Sequence, residues 1–390
     1  MNKINLRCDI FCNVIDNYGD VGVCWRLARQ LANEHGLAVR LWVDDLVALA
    51  KLCPEVDAVL ESQLRRGVQV CLWCKEFPGV HPADVVIEAF ACKLPQSYIK
   101  AMAAQAQQLI WINLEYLSAE DWVESHHKLP SPHPGLQLTK YFFFPGFTRK
   151  TGGLLLEHDL LARRDAFQNN AAQQRFFWQS IGLEMPSART LKISLFGYEN
   201  AALMGLLDAW SAGAQPVLCL VPEGRILPQV GQYFGDAVSR VGSNYARGNL
   251  HVRVLPFVEQ ERYDELLWAC DVNFVRGEDS FVRAQWAARP FVWQIYPQHD
   301  AVHLKKLEAF LILYSEQLSQ SANEAMHGMW KAWSMENGAG QMWLAFVAER
   351  GELERHAQHW AGHLAENNLA LNLLDFCQEI GRMRALKIEG

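Results

Sequence analysis

The stretch from Asp9 to Leu31 joins a strand-like run to a helical one through a short turn. Asp9-Ile-Phe-Cys-Asn-Val-Ile15 is an apolar run of strand type. Val23, Leu27 and Leu31 recur at helical spacing, with Arg26, Arg29 and Gln30 off that stripe. The turn between them holds Asp16, Gly19, Asp20 and Gly22. A first strand, a glycine-bearing turn and a first helix form the site-bearing edge of an open parallel sheet. Two carboxylates there point to a cation or to acid–base chemistry rather than to a bound phosphate.

The alternation continues. Ala38–Val43, Val68–Trp73, Asp84–Ile87 and Gln108–Asn113 read as strands, with helical patterns between them such as Gln96–Gln107. Phe142-Phe-Phe-Phe-Pro145 closes the series. Parallel strands with helical crossovers follow from this order. Thr148–Arg189, with Gly152-Gly153, a polar helical stretch and Pro186, reads as a connection containing a helix. A second series then begins. Leu191–Phe196, Val217–Val221, Val252–Leu255, Val272–Val275 and Phe291–Ile295 read as strands. Ala201–Trp210, Glu259–Cys270 and Ser280–Ala288 read as helices, and the chain from His299 onward is helical. The expected fold class is α/β, with two Rossmann-like doubly wound domains facing across a cleft. The first spans 1–155, a connection 156–186, and the second 187–361. Ligands of such sheets bind at the carboxyl ends of the strands. This is the architecture of many nucleotide-sugar glycosyltransferases.

Composition narrows the class. At 390 residues with half of them apolar, the chain builds large cores without staples. Its ten cysteines are scattered, several within strand patterns, as expected of reduced thiols in a cytoplasmic protein. No signal peptide is expected from MNKINLRCDIF, and no apolar run is long enough to span a membrane. A net charge of -7 disfavours nucleic acid and permits a basic partner.

The second informative stretch runs from Phe257 to Ser280. Arg276-Gly277-Glu278-Asp279-Ser280 sits where a strand gives way to a helix N-terminus. Free backbone N–H groups there bind anions, Ser280 adds a hydroxyl, and Arg276 offers a planar fork to phosphate. Such groups neutralise a departing diphosphate without a metal. The local alternative is that Asp279 or Ser280 caps the helix and Arg276 pairs with Glu278. Tyr198 ends another strand of the same domain, and Phe257 with Gln260 ends a third. A ring and an amide suit a nucleobase, although a lone aromatic such as Phe257 is more often a core-packing residue. Asp16 and Asp20 have a local alternative too, since Asp16-Asn17-Tyr18-Gly19 is turn chemistry and Asp20 suits an N-cap. As a general base, Asp20 is the candidate because it lies nearest the helix start.

Other patterns carry little. Cys71-Leu-Trp-Cys74 has no second pair, His126, His127 and His133 form no ligand set, and His299 with His303 lacks a metal motif. No GxGxxG follows the first strand and no GxxxxGK[ST] occurs. The 14 tryptophans read as packing residues rather than as a binding array.

DIFCNVIDNYGDVGVCWRLARQL and LPFVEQERYDELLWACDVNFVRGEDSFVRAQWA together resemble the bacterial protein-arginine rhamnosyltransferases of translation elongation factor P. The likeness extends over essentially the whole chain, PFVWQIYPQHDAVHLKKLEAF included. The resemblance implies an inverting glycosyltransferase of the B type that carries L-rhamnose from dTDP-β-L-rhamnose to an arginine nitrogen of elongation factor P. No metal or other cofactor is implied, nor a nucleic-acid or membrane partner. It implies Asp20 as general base, Asp16 as a supporting acid, and Glu278 in catalysis. Tyr198, Phe257, Gln260, Arg276, Asp279 and Ser280 fall at donor-binding positions. The final helix, about 362–390, is expected to return to the first domain. Two other classes stay open on the residues alone: a nucleotide-sugar transferase or epimerase with a small acceptor, and a non-enzymatic binder of a basic protein.

Overall fold

The computed structural model describes residues 6–15, 18–105, 109–296 and 302–388, with side chains to residue 383. The chain divides into two compact units, 1–158 with 364–390, and 159–363.

The first unit runs β1 (Arg7–Cys12), α1 (Gly19–Asn33), β2 (Ala38–Val43), α2 (Leu46–Leu52), β3 (Ser62–Arg65), β4 (Val68–Leu72), β5 (Val85–Ala89), α3 (Gln96–Ala103), β6 (Ile110–Leu114), α4 (Trp122–His126), β7 (Pro130–Pro132) and β8 (Thr139–Phe143). Its sheet has the order β3-β4-β2-β1-β5-β6-β8-β7. The outer pairs β3–β4 and β7–β8 are antiparallel, and the strands between them pair in parallel. The winding reverses direction between β1 and β5. Continuous apolar runs suit these two strands because both faces are covered, and all five residues of β5 are buried. Asp9 is a buried exception on β1. It accepts from Arg40 Nε and Nη2 at 2.6 Å each, from the Ala83 amide at 3.1 Å, and from the Tyr98 hydroxyl. A buried carboxylate is tolerated when so fully bonded. At the far edge, β7 is Pro130-Ser-Pro132, and its prolines remove two donors from an open strand.

The second unit runs α5 (Leu160–Gln168), α6 (Ala171–Ser180), β9 (Leu191–Leu195), α7 (Leu203–Ala212), β10 (Val217–Pro222), α8 (Leu227–Tyr233), β11 (Asn244–Arg247), β12 (Leu250–Leu255), α9 (Gln260–Ala269), β13 (Val272–Arg276), α10 (Asp279–Trp286), β14 (Phe291–Gln294), α11 (Val302–Ser315), α12 (Gln320–Ser334), α13 (Ala339–Ala348) and α14 (Arg350–Leu364). Its sheet order is β11-β12-β10-β9-β13-β14, with the reversal between β9 and β13. Most of the segment read as a connection lies within this unit. Phe167 of α5 meets Trp268 of α9 at 5.8 Å, and Arg164 Nη1 donates to the Trp286 carbonyl at 3.0 Å. Trp330, Trp333 and Trp360 pack against Phe310 and Phe274, so they are core.

The last helix, α15 (Leu369–Ile388), belongs to the first unit. Leu369 N donates to Leu154 O at 2.9 Å and Leu154 N to Asn367 O at 3.2 Å. Asn368 Nδ2 donates to Leu156 O at 2.6 Å, and Phe376 packs on Tyr141 and Phe143. Gly152-Gly153 makes this return possible. Gly153 has φ +79°, and a Cβ there would lie 2.1 Å from Asn367 O. At Gly152 a Cβ would lie 2.4 Å from the Phe143 ring. Gly153→Ala therefore meets both a left-handed backbone and a fixed carbonyl. Thermal unfolding should show a loss of about 2 kcal/mol. That corresponds to a fall in Tm of roughly 4–8 °C. An unchanged Tm would mean that the contact yields without cost.

Candidate functional site

Each reversal of winding leaves a crevice at the carboxyl ends of two adjacent strands, where ligands of open α/β sheets bind. Asp20 stands at the first of these places, and Tyr198, Arg276 and Ser280 at the second.

In the first unit the loop after β1 is pinned by Asp44, at the end of β2. Asp44 accepts from the Val14 amide at 2.8 Å and from the Asn13 side chain. Helix α1 starts at Gly19 with Tyr18 at its N-cap, two positions ahead of the cap read at Asp20. Asp20 thus lies in the first turn instead of capping it. It is 3 % exposed, and its Oδ2 accepts the Ile15 amide at 2.8 Å. The helix dipole favours a carboxylate there. Asp16 lies outside the described residues. Across the reversal, β5 runs into Phe90 and Ala91, two successive non-glycine residues with φ of +57° and +55°. Beyond β6 come Glu115 and Tyr116, and the Tyr116 ring stacks on Phe90 at 4.5 Å. Glu88 accepts from Trp111 Nε1 at 3.1 Å and Lys140 Nζ at 3.2 Å. Burial pushes its carboxyl up, Lys140 and Trp111 pull it down, and Glu115 adds a smaller upward push.

In the second unit Arg276 ends β13 beside β9. Its guanidinium carbon lies 4.5 Å from the Phe196 ring centre and 4.5 Å from that of Tyr198. Two aromatic faces thus hold a flat cation, which offsets part of its desolvation. Tyr198 N donates to Gln294 Oε1 at 2.8 Å, and the Tyr198 ring meets Tyr296 edge-on at 5.7 Å. A Cβ at Gly197 would come within 2.9 Å of the same Gln294 oxygen and displace that side chain. Gly277, at φ +59°, turns the chain from β13 into α10, and its carbonyl accepts from Trp293 Nε1 at 2.7 Å. The Ser280 hydroxyl accepts from Arg276 N at 2.9 Å and donates to Arg276 O. Ser280 therefore also serves the local, turn-closing role. Gln260, first residue of α9, donates to Asp279 Oδ2 at 3.2 Å and ties the N-termini of α9 and α10 together. Behind them Arg283 makes two 2.7 Å bonds to Asp264, a buried fork that locks α10 to α9.

Tyr198, Arg276 and Ser280 thus form one contact group, and Gln260 and Asp279 another. Phe257 follows β12 and Glu278 is the N-cap of α10, both half-buried. Sequence reasoning missed Phe196, Gln294 and Tyr296. The signal was available, because Phe196 follows β9 and Gln294 and Tyr296 lie at the end of β14, the neighbour of β13, so all three stand at carboxyl ends of parallel strands. Among the described residues no group of three His, Cys, Asp or Glu is placed to hold a metal, and no helix is long and apolar enough to cross a membrane. Cys71 is buried and Cys74 exposed, both as thiols. Burial pushes His127 down to about 4, and its Nδ1 accepts the Phe144 amide, a structural role. His299 lies outside the described residues. Arg276→Lys keeps the charge and loses the flat group between the rings. Calorimetry with a nucleoside diphosphate should show affinity weakened by roughly tenfold, equivalent to about 1.4 kcal/mol. Full affinity in that variant would remove Arg276 from the binding site.

Comparison with known proteins gives a consistent family assignment. The family model described as elongation factor P (EF-P) rhamnosyltransferase EarP matches residues 8–378. A protein-arginine rhamnosyltransferase of Pseudomonas putida is 54% identical over 370 residues, 94% of this chain and 97% of that protein. One from Pseudomonas aeruginosa is 50% identical, over 94% of this chain and 98% of its own length. A solved structure described as the basis for EarP-mediated arginine glycosylation of translation elongation factor EF-P superposes with TM-score 0.70 at 40% identity, covering 96% of this chain and 99% of that one. The calicheamicin glycosyltransferase CalG4, at 12% identity and TM-score 0.51, shares the fold.

Proposed function

The chain belongs to the elongation factor P rhamnosyltransferase family, and on that premise we propose that it transfers L-rhamnose from dTDP-β-L-rhamnose to an arginine of translation elongation factor P, with inversion. The observation that carries the donor half is Arg276, its guanidinium carbon over the rings of both Phe196 and Tyr198, at the strand end that leads into one of two helix N-termini tied together by Gln260 and Asp279. A nucleoside diphosphate is the ligand that a fixed guanidinium and helix N-termini would accept together. Phe257 and Gln260 are assigned to the base, and Asp279, Ser280 and Glu278 to the diphosphate and sugar. Arg276 and the helix N-termini take up the charge of the departing diphosphate, so the reaction is proposed to run without a metal.

The acceptor half falls to Asp20, with Asp16 assigned as a supporting acid. An arginine side chain stays protonated and its nitrogen lone pairs are delocalised, so a carboxylate does not simply deprotonate it in the ground state. In the proposed step the nitrogen attacks the anomeric carbon from the face opposite the diphosphate. The N–C bond forms as the C–O bond breaks, the electron pair leaves with the diphosphate, and Asp20 accepts the nitrogen's proton. A cytoplasmic location follows from such a partner.

Intact-mass analysis of elongation factor P, incubated with this protein and dTDP-L-rhamnose, should show one added deoxyhexose on an arginine. Asp20→Asn should lower the rate at least a thousandfold with donor affinity within twofold of wild type. Loss of donor affinity in that variant, or a retained rate, would remove Asp20 from its role. Excess EDTA should leave the wild-type rate unchanged, whereas a rate abolished by EDTA and restored by a divalent cation would show that a metal is required.

A further inference from the structure

A strand ladder ends where neighbouring backbones part, and a buried amide beyond that point needs a partner from elsewhere. In the second unit the ladder between β9 and β13 ends at Phe196, whose amide donates to Phe274 O at 3.0 Å. Two residues later the buried Tyr198 amide donates to Gln294 Oε1 at 2.8 Å. Gln294 ends β14, which is separated from β9 by β13. Strand spacing puts that separation at about 10 Å. The Gln294 side chain, 4 % exposed, therefore reaches across the end of the strand between them. Its Nε2 donates to Glu199 O at 3.4 Å, so one amide holds the Tyr198 turn at two points.

The strand it crosses is the one that ends in Arg276. Gln294 and Arg276 are register partners on β14 and β13, so their side chains leave the sheet on the same face. The Arg276 guanidinium carbon lies 4.5 Å from the ring centres of Phe196 and Tyr198, the residues on either side of Gly197. The Gln294 amide thus fixes the backbone that carries one of these rings. The Gln294 carbonyl also accepts the Gly277 amide at 3.2 Å, and Trp293 Nε1 donates to the Gly277 carbonyl at 2.7 Å. Trp293 is anchored in turn by its stack on Phe281 at 3.8 Å. The turn at Tyr198 and the turn at Gly277 are the two that flank Arg276, and Gln294 bonds to both. Ordering and burying a glutamine costs desolvation and rotamer entropy. What it supplies here is a guanidinium oriented before a diphosphate arrives.

We propose that Gln294 is a positioning residue for the donor. By tying the Tyr198 and Gly277 turns to the end of β14, it sets Arg276 in the orientation that receives the diphosphate. This rests on the reading above that Arg276 binds the diphosphate. Gln294 acts through Tyr198 and Arg276 and is not a catalytic residue.

The test is a double-mutant cycle between Gln294→Met and Arg276→Lys, read by calorimetry with thymidine diphosphate. Gln294→Met keeps the length of the side chain and loses the acceptor for the Tyr198 amide. Alone it should weaken affinity about tenfold. In the Arg276→Lys background it should weaken affinity by less than about threefold further, because the group it positions is already gone. Gln294→Asn keeps the amide but is one methylene too short to reach, and should match Gln294→Met. In turnover both variants should raise the KM for the donor, with the KM for elongation factor P unchanged and kcat within about threefold of wild type. A side chain that serves the fold alone predicts a lower Tm with wild-type affinity in the folded protein, and that result would overturn the proposal. So would a multiplicative loss in the double variant, or equal effects on both KM values. If Gln294→Met does not fold, Gln294→Asn takes its place in the cycle. Full affinity in Arg276→Lys defeats the donor reading and this one with it. Weakened affinity in Arg276→Lys, with none lost in the Gln294 variants, defeats only the positioning role.

Discussion

Parallel strand pairing is the constraint from which the rest follows. Two parallel neighbours cannot be joined by a tight hairpin, so the chain must cross back over the sheet, usually as a helix. Every parallel strand then releases its chain at the same edge. Where winding starts in the middle and proceeds outward on both sides, adjacent loops at that edge diverge and leave a crevice. Both units are built this way, around β1 and β5 in one and β9 and β13 in the other. The chemistry-bearing side chains stand at those two edges because no other place in such a sheet offers polar groups a walled, water-accessible position.

The two edges are equipped differently. The first carries Asp20, Asp44, Glu88 and Glu115, with Lys140 drawn to Glu88 as a counter-charge. The second is organised around a cation whose shape is fixed by two rings. Fixing it in advance matters, because a group already oriented toward developing charge need not reorganise when that charge appears. The buried Arg283–Asp264 fork and the Gln260–Asp279 bond extend that rigidity to the helix N-termini around it.

Much of this was legible in the residues. Central strands announce themselves, as Val85–Ile87 and Val217–Val221 do, because burial on both faces demands continuous apolar runs. Edge strands β3 and β11 escaped, since Ser62-Gln-Leu-Arg65 and Asn244-Tyr-Ala-Arg247 bury few side chains and keep little periodicity. The polar strand end at Arg276 and the acidic helix start at Asp20 were visible as breaks in apolar runs. Gln294 looked like the mere end of a strand, because a bridge to another strand is a property of packing and not of residue type. Ser280 shows the reverse: the hydroxyl is where expected, and the structure adds its bond to the Arg276 backbone. Gly152-Gly153 read as linker because the backbone that makes glycine necessary there lies more than 200 residues further along the chain.

That last contact bears on how the molecule is made. The second unit, 159–363, is complete in sequence before the end of the chain emerges from the ribosome, whereas the first must wait for 364–390. Until Asn367 reaches Gly153, Tyr141 and Phe143 lack the helix that covers them. The half that is synthesised first is thus the last to close. A chain terminated near residue 363 leaves that apolar face uncovered, while every segment of the other sheet is already present.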